Sequence, residues 1–250
     1  LSLLSACSKP SGTAASSDTN TIEINIGHAG PLTGPQAHLG KDDENGARMA
    51  IDDLNAHKIA IGGKTAHFTL VSMDDQADAR VATTVAQQLV DEQVNGVIGH
   101  MNSSTTLPAS RIYNQNGIVE ITPSATNPTY TQQGFTNAFR VMPNDVQQGK
   151  ALGQFAVQEL KAKRIAVIDD KTAYGAGIAA EFEKAVKASG GTLIGHEYTT
   201  DKETDFNAIL TRIKGMNPDL LFFAGMDGQG AAMIQQVRNL GIKAQFMGGD

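Results

Sequence analysis

The 250-residue sequence has one cysteine, no tryptophan, no excess of positive charge and no long hydrophobic run. A single cysteine excludes an internal disulfide. The formal net charge of −6 argues against nucleic acid or an anionic membrane surface as the main partner. No apolar stretch approaches the roughly 20 residues that are needed to span a bilayer. We therefore expect a folded protein that binds no nucleic acid and has no membrane-spanning helix.

The single cysteine lies in an informative context near the start of the chain. Leu4-Ser-Ala-Cys7 matches the box at which bacterial lipoproteins are processed, and residues 1–4 are typical of the end of a signal peptide. Residues 8–20 are rich in Ser, Thr, Ala and Gly, which is typical of a flexible tether. The alternative is a ragged terminus with an incidental cysteine. We expect residues 1–20 to be a signal-peptide remnant, lipobox and tether, with a lipid anchor on Cys7 that holds the folded part in the periplasm or at the cell surface.

From residue 21 onward, short β-type runs alternate with longer helical patterns. Val81, Val85 and Leu89 repeat at i, i+4 and i+8 behind Asp78, which is typical of a capped amphipathic helix. The predicted strands occupy residues 22–27, 67–73, 96–98, 118–122, 164–168, 192–198, 220–223 and 245–247. Such alternation predicts an α/β fold with doubly wound parallel sheets, each flanked by helices.

The alternation pauses once, at residues 137–145, where a short extended segment ends in a Pro turn. We interpret this segment as a crossover between two lobes. The predicted division is an N-terminal lobe over residues 21–142, a hinge crossover over residues 143–147 and a C-terminal lobe over residues 148–250. The sequence stops at Asp250 directly after a predicted strand, an unusual end for a domain, so we expect the natural protein to continue further.

Two predicted strands end in runs of small residues and hydroxyls. Ser103 and Ser104 follow the strand end at Gly99, and Ser124 and Thr126 follow the next strand. Ligands bind beyond the carboxyl ends of parallel strands, so these residues should share one polar pocket. A helix that begins near Ser103 offers free N–H groups to a carboxylate, whereas the second loop offers oxygens to an ammonium group. The pair predicts a site for an α-amino acid, and the alternative for Ser103 is an ordinary helix cap.

Three other motifs suggest enzymes, and each lacks its required context. Gly175–Ala180 fits the dinucleotide fingerprint, but six residues separate it from the preceding strand and two carboxylates there would repel phosphate. Asp74, Asp75 and Asp78 resemble a magnesium motif, although a helix cap suits Asp78 better. His100 has no nucleophile elbow beside it. A nucleotide-dependent enzyme therefore stays an alternative, and we expect no metal, no cofactor and no catalytic residue.

Short motifs run in order along the folded part of the sequence. They are Gly30-Pro-Leu-Thr-Gly-Pro35, Asp74-Asp75, Val97-Ile-Gly-His100, Ser103-Ser104, Pro108-Ala-Ser110, Ile121-Thr-Pro-Ser-Ala-Thr126, Arg164-Ile-Ala-Val-Ile-Asp-Asp170, Tyr174-Gly175, Asp205-Phe206 and Gln245-Phe-Met-Gly248. As a set, they resemble the type I periplasmic binding proteins of branched-chain amino acid ABC transporters, the leucine/isoleucine/valine-binding family. The resemblance implies two lobes, joined by three crossovers, that close on a ligand in the cleft between them.

The resemblance also implies a role for individual residues. It assigns the α-carboxylate of the ligand to Ser103, Ser124, Ala125, Thr126 and Tyr174. It assigns the ammonium group to Ser124, Thr126 and Asp250. The family usually has Glu at the position of Asp250, so the shorter side chain implies a slight shift in lobe closure.

The resemblance is less exact at the side-chain pocket. Leu39 and Met226 stand where close family members have aromatic walls, and they still form an apolar pocket. A cysteine pair that many members have is replaced here by Ala77 and Asn102. The family chain also continues well beyond the position of Asp250. We expect an aliphatic amino acid as the ligand, and a sensing domain of the same fold for an amide, urea or another small amino acid is the alternative.

The resulting expectation is an extracytoplasmic lipoprotein that captures a small amino acid and delivers it to the permease subunits of an ABC transporter. It performs no chemistry, and its contact with the membrane is through the lipid anchor alone. We expect a monomer.

Overall fold

The computed structural model describes residues 20–249. The predicted lipidation residue Cys7 and the predicted ammonium partner Asp250 lie outside the described residues. The strands are β1 (Thr21–Gly30), β2 (Ala60–Ile61), β3 (Lys64–Asp74), β4 (Gly96–Gly99), β5 (Val119–Thr122), β6 (Ala138–Arg140), β7 (Arg164–Asp169), β8 (Thr192–Tyr198), β9 (Leu220–Ala224) and β10 (Gln245–Gly248). The helices are α1 (Ala37–Ala56), α2 (Ala79–Asp91), α3 (Ser103–Gln115), α4 (Thr129–Gln132), α5 (Asp145–Gln158), α6 (Ala173–Ala188), α7 (Asn207–Met216) and α8 (Asp227–Asn239).

The strands form two sheets, one in each lobe. The first sheet has six strands in the order β2-β3-β1-β4-β5-β6, and the second has four in the order β10-β9-β7-β8. All of these pairs are parallel except that of β2 with β3. The predicted α/β fold with parallel sheets is therefore confirmed.

Each of the eight predicted strands overlaps an observed strand, and two short strands were not predicted from the sequence pattern. Strand β2 turns back onto β3 through Gly62 and Gly63, which have φ angles of +60° and +81°. A Gly-Gly pair is a hairpin signal because both central residues need positive φ. Strand β6 lies inside the extended segment 137–145 and pairs with β5. The lobe limits around residues 143–147 stay a prediction.

Helices cover both faces of the second sheet. On one face, α5 and α6 pack against β7 and β9, with the Phe182 ring stacked on the Phe222 ring at a centroid distance of 3.9 Å. On the other face, α7 and α8 bury Leu210, Ile213 and Met233. Alternate side chains of each strand pack against the helices on opposite faces of the sheet, as expected for a strand that is buried on both sides.

In the first sheet, α2 and α3 bury Leu89 and Tyr113 on one face, and α1 covers part of the other. Asp78 caps α2, because its carboxylate accepts hydrogen bonds from the N–H groups of Arg80 and Val81 at 2.8 and 3.1 Å. The predicted cap is thus confirmed. Among the described helices, none is both long and apolar enough to cross a membrane.

Candidate functional site

The loops that follow β4 and β5 are joined by hydrogen bonds at the same edge of the first sheet. The Thr122 hydroxyl donates to the carbonyl of His100 at 2.7 Å, and the Ser124 hydroxyl donates to the carbonyl of Met101 at 2.9 Å. The backbone N–H of Asn127 donates to Ser103 Oγ at 3.2 Å. The two strand ends that we singled out from the sequence therefore lie side by side.

Helix α3 begins at Ser103 and leaves backbone donors free. Asn102 is the N-cap residue, and its carbonyl accepts the N–H groups of Thr105 and Thr106. The N–H groups of Ser103 and Ser104 have no hydrogen-bond acceptor among the described residues. The alternative view of Ser103 as a helix cap is wrong, because Ser103 is the first residue inside the helix. Free donors at the start of a 13-residue helix suit a carboxylate.

The hydroxyl groups of the two loops keep complementary hydrogen-bonding capacity. Ser103 Oγ accepts a hydrogen bond from Asn127, so its own proton stays available to donate. Ser124 Oγ has given its proton to Met101, so its remaining lone pair can only accept. Thr126 Oγ1 is buried and has no hydrogen-bond partner within residues 20–249. The loops thus offer donors for a carboxylate and acceptors for an ammonium group.

A cavity of about 260 Å³ lies between the two lobes at this edge. It is lined by Leu39, Asp42, Asp43, Met101, Asn102, Ser103, Ser124, Tyr174 and Met226. Five of these were predicted as ligand-binding residues, and they come from both lobes. Pockets for drug-sized ligands measure roughly 300–1,000 Å³, so this cavity fits a smaller molecule.

The other predicted site residues lie close by without lining this cavity. Ser104 lines the neighbouring part of the cleft. Ala125 and Thr126 are buried in the loop after β5. Asp250 lies outside the described residues, and its neighbour Gly249 packs against the hydroxyl of Tyr174.

Four lining residues were not predicted as ligand contacts, namely Asp42, Asp43, Met101 and Asn102. Asp43 lies one helical turn after Leu39 on α1, which places both on the same helix face. Burial, together with the nearby charge of Asp42, raises the pKa of Asp43 from 3.8 to about 6. The i, i+4 spacing from Leu39 is the sequence signal that could have found Asp43.

Hydrogen bonds across the cleft connect the two lobes beside the cavity. The N–H of Ala173 donates to Ser104 Oγ at 3.0 Å, and Asn127 Nδ2 donates to the carbonyl of Ala173 at 2.7 Å. On the other side of the cavity, His38 Nε2 lies 2.8 Å from Asp227 Oδ2. The two lobes are therefore in direct contact around the cavity.

The glycine motif at the start of α6 does not form a phosphate site. The Thr172 hydroxyl accepts the N–H of Gly175 at 2.9 Å, and the N–H of Ala173 is bound to Ser104. Asp170 is buried against Gly175, and burial raises the pKa of its carboxyl. The first N–H groups of α6 already have partners, and a carboxyl group lies beside them, so the nucleotide alternative gains no support here.

The acidic motif and His100 also have structural partners. Asp74 accepts the N–H group of Leu32 at 2.8 Å, and Asp78 caps α2. His100 is buried, with Nδ1 2.7 Å from Asp75 Oδ2 and Nε2 3.1 Å from Tyr113 Oη. Within residues 20–249, no group of His, Cys, Asp and Glu side chains could hold a metal ion.

Comparison with known proteins places this architecture in a family. The sequence profile of the periplasmic binding protein family matches residues 23–249. The chain belongs to the periplasmic binding protein family. The resemblance that the sequence motifs indicated is thereby confirmed.

Individual relatives within the periplasmic binding proteins are similar over most of the chain. An amino acid binding protein of Pseudomonas aeruginosa is 38% identical over 91% of this chain and 60% of its own length. The leucine-specific-binding protein of Salmonella typhimurium is 36% identical over 94% of this chain and 63% of its own length. The chain thus spans somewhat less than two thirds of the length of these curated relatives.

A solved structure agrees with this placement. The branched-chain amino acid transporter substrate-binding protein LivJ of Streptococcus pneumoniae, in complex with isoleucine, superposes with a TM-score of 0.82. It is 29% identical, and the match covers 91% of this chain and 64% of LivJ. The family and the fold are therefore shown by sequence and by structure.

Proposed function

We propose that this protein is the extracytoplasmic solute-binding component of an ABC transporter, which captures a small amino acid and delivers it to the permease subunits. The observation that carries this proposal is the cavity of about 260 Å³ between the lobes, which is lined both by hydroxyl-bearing and by apolar side chains. Periplasmic binding proteins close by hinge motion around such a ligand. The similarity to amino acid binding proteins supports the same function.

The zwitterionic head group of the ligand binds at the strand-end loops. The free N–H groups of Ser103 and Ser104, the Ser103 hydroxyl and Tyr174 bind the carboxylate. Ser124 and Thr126 accept hydrogen bonds from the ammonium group, together with Asp250. The loop backbone at Ala125 completes this part of the site. A buried zwitterion is tolerated only when its hydrogen bonds are satisfied, and hydroxyl-rich loops meet that need.

The ligand side chain packs against Leu39, Met101 and Met226. These side chains line the same cavity, and methionine adapts to ligands of different shape. Branched-chain amino acids are the first candidates, since LivJ of Streptococcus pneumoniae was solved with isoleucine.

The protein acts without catalysis in this proposal. Ser103 and Ser124 line the cavity, but the described histidine nearest to them in sequence, His100, is buried between Asp75 and Tyr113 and cannot act as their base. A lipid anchor on Cys7 holds the protein outside the cytoplasmic membrane, and the protein works as a monomer.

Calorimetric titration of the whole chain with the twenty amino acids and with small amides tests this function. We expect at least one amino acid to bind with a Kd of roughly micromolar or tighter, which is about −8 kcal/mol. D-Leucine is the control for L-leucine. A site that binds both the carboxylate and the ammonium group of the ligand discriminates between the two enantiomers. Binding of none of these compounds below millimolar concentration would refute the proposal, and tight binding of NAD(P) would favour the enzyme instead.

A further inference from the structure

The wall of the cavity that belongs to α1 carries a carboxylate beside its apolar residue. Leu39 and Asp43 are separated by four positions on this helix, so they lie on the same face, and both line the cavity. The cavity is also lined by the apolar side chains of Met101 and Met226 and by the carboxylate of Asp42, the residue before Asp43 on α1. Asp43 thus lies next to the side-chain pocket.

The Asp43 carboxylate has no partner within the described part of the protein. Its Oδ2 atom is shielded from solvent and forms no hydrogen bond with any described residue. The lysine and arginine of the same helix are used elsewhere, since Lys41 Nζ and Arg48 Nη2 bind Glu44 at 2.9 and 3.0 Å. A shielded acceptor without a donor destabilises a protein, and more so when it is charged. Because Asp43 lines the cavity, a molecule bound there can supply a donor to this carboxylate.

We propose that Asp43 extends the ligand range of this cavity to amino acids whose side chain carries an N–H donor. This inference rests on the proposed function. The apolar walls hold the aliphatic part of the ligand side chain, and the N–H group at its end donates to the Asp43 carboxylate. Amides and ammonium groups share this chemistry, so asparagine and ornithine represent the two classes. Their isosteres without the donor are leucine and norleucine.

Calorimetry with these four ligands at pH 7.5 tests the inference on three variants. Asp43→Leu removes the acceptor, Asp43→Asn keeps an acceptor oxygen but removes the charge, and Asp52→Asn is a matched control at an exposed position of the same helix. In the unsubstituted protein, we expect asparagine or ornithine to bind at least as tightly as its isostere. Asp43→Leu should weaken that ligand by roughly tenfold or more and leave leucine unchanged or tighter. Asp52→Asn should change nothing.

The remaining outcomes distinguish a failure of the inference about Asp43 from a failure of the proposed function. Suppose that leucine binds the unsubstituted protein and that Asp43→Leu changes the affinity of neither asparagine nor ornithine relative to its isostere. The inference about Asp43 is then wrong, and the proposed function stands. If no amino acid binds the unsubstituted protein, both fail. Should Asp43→Leu not fold, Asp43→Asn still discriminates, because loss of charge must weaken ornithine against norleucine roughly tenfold. If ornithine and norleucine bind with equal affinity both to the unsubstituted protein and to Asp43→Asn, the inference is wrong for ammonium ligands. If Asp43→Asn then still binds asparagine, the site is restricted to amides.

Discussion

His38 Nε2 lies 2.8 Å from Asp227 Oδ2, and this contact joins the first turn of α1 to the first turn of α8. Each partner is the direct neighbour of a cavity-lining residue, Leu39 in one case and Met226 in the other. Among the ion pairs of the described residues, it is the one that connects the two lobes. The pair therefore stabilises the arrangement in which both walls meet around the cavity.

Breaking this contact should weaken ligand binding slightly. Both side chains are more than half exposed, at 55% and 58%, so the expected loss is that of a surface pair, about 0.2–1 kcal/mol or up to roughly fivefold in Kd. We expect His38→Gln and Asp227→Asn each to show this loss, and the double variant to show no further loss. Calorimetry with the preferred amino acid measures all three.

The matched control for this prediction is a second exposed pair of the same chemistry. His67 Nδ1 lies 2.7 Å from Glu23 Oε2, and both residues belong to the first lobe. His67→Gln should leave affinity unchanged because it alters no contact between lobes. A similar loss in His67→Gln, or additive losses at His38 and Asp227, would contradict the role that we give to the contact between lobes.

Ser103→Ala should weaken amino acid binding by roughly 1–3 kcal/mol, because it removes the hydroxyl that we propose as a donor to the ligand carboxylate. The variant also removes the acceptor for the N–H of Asn127, so a small loss of stability should accompany it. 3-Methylbutylamine, which is leucine without its carboxylate, separates the two effects because it has no acceptor for the Ser103 hydroxyl. Ser103→Ala should bind 3-methylbutylamine as the unsubstituted protein does, and an equal loss for both compounds would place the role of Ser103 in the loop structure.

Thr126→Val should have opposite effects on stability and on binding. Thr126 is buried and its hydroxyl has no partner among the described residues, so the isosteric valine removes a buried polar group without a compensating bond there. We expect a Tm that is unchanged or higher, together with a loss of affinity of roughly 1–3 kcal/mol. Thermal unfolding and calorimetry give the two values. Unchanged affinity would show that the ligand does not use this hydroxyl.

The strand-end loops were predictable because they depend on local pattern and on one rule for parallel sheets. An apolar run followed by hydroxyls marks a strand end, and neighbouring strand ends meet at one edge. The cap at Asp78 was predictable for the same reason, since it involves only residues two and three positions further along the chain.

The residues that α1 contributes to the cavity wall could not be predicted from local pattern in the same way. Asp43 looks like any exposed acid on a helix, and only its i, i+4 spacing from Leu39 connects it with the cavity in the sequence. The contact of His38 with Asp227 joins residues that are 189 positions apart, so no local pattern encodes it. The resemblance to a family supplied the positions of Leu39 and Met226, whereas the residues beside them required the three-dimensional packing.

His196 should make stability depend on pH above neutrality. Its Nε2 lies 2.6 Å from Asp169 and its Nδ1 lies 2.8 Å from Glu183. Hydrogen bonds to these carboxylates, that to Asp169 first, raise the pKa of His196 from 6.5 to about 9. Because the folded pKa exceeds the unfolded value, the stabilisation is complete below pH 6.5 and is lost as the pH rises through 9.

The comparison of the unsubstituted protein with His196→Gln isolates this effect. Solvent screening at the partly exposed ring limits it to about 1 kcal/mol, or roughly 2–4 °C in Tm. We expect the unsubstituted protein to have the higher Tm below pH 6.5 and the difference to vanish above pH 9. His57→Gln is the control, since the His57 ring contacts no carboxylate among the described residues. A difference in Tm that stays constant with pH would mean that the charge of His196 is not involved.

Gly149 and Gly46 should respond in opposite directions to the same substitution. A Cβ atom at Gly149 would lie 2.6 Å from Glu181 Cβ and 2.8 Å from the backbone nitrogen of Phe182, because α5 packs tightly on α6 there. Gly46 is an exposed residue of α1, and a Cβ atom there would meet nothing within 4 Å. Gly149→Ala should therefore destabilise the fold by roughly 1–3 kcal/mol through overpacking. Gly46→Ala should stabilise it by about 0.5–1 kcal/mol, because alanine has the higher helix propensity. Urea unfolding of both variants measures the two changes. A Gly149→Ala variant as stable as the unsubstituted protein would show that α5 and α6 can separate at little cost, and a destabilised Gly46→Ala variant would contradict the helix-propensity effect.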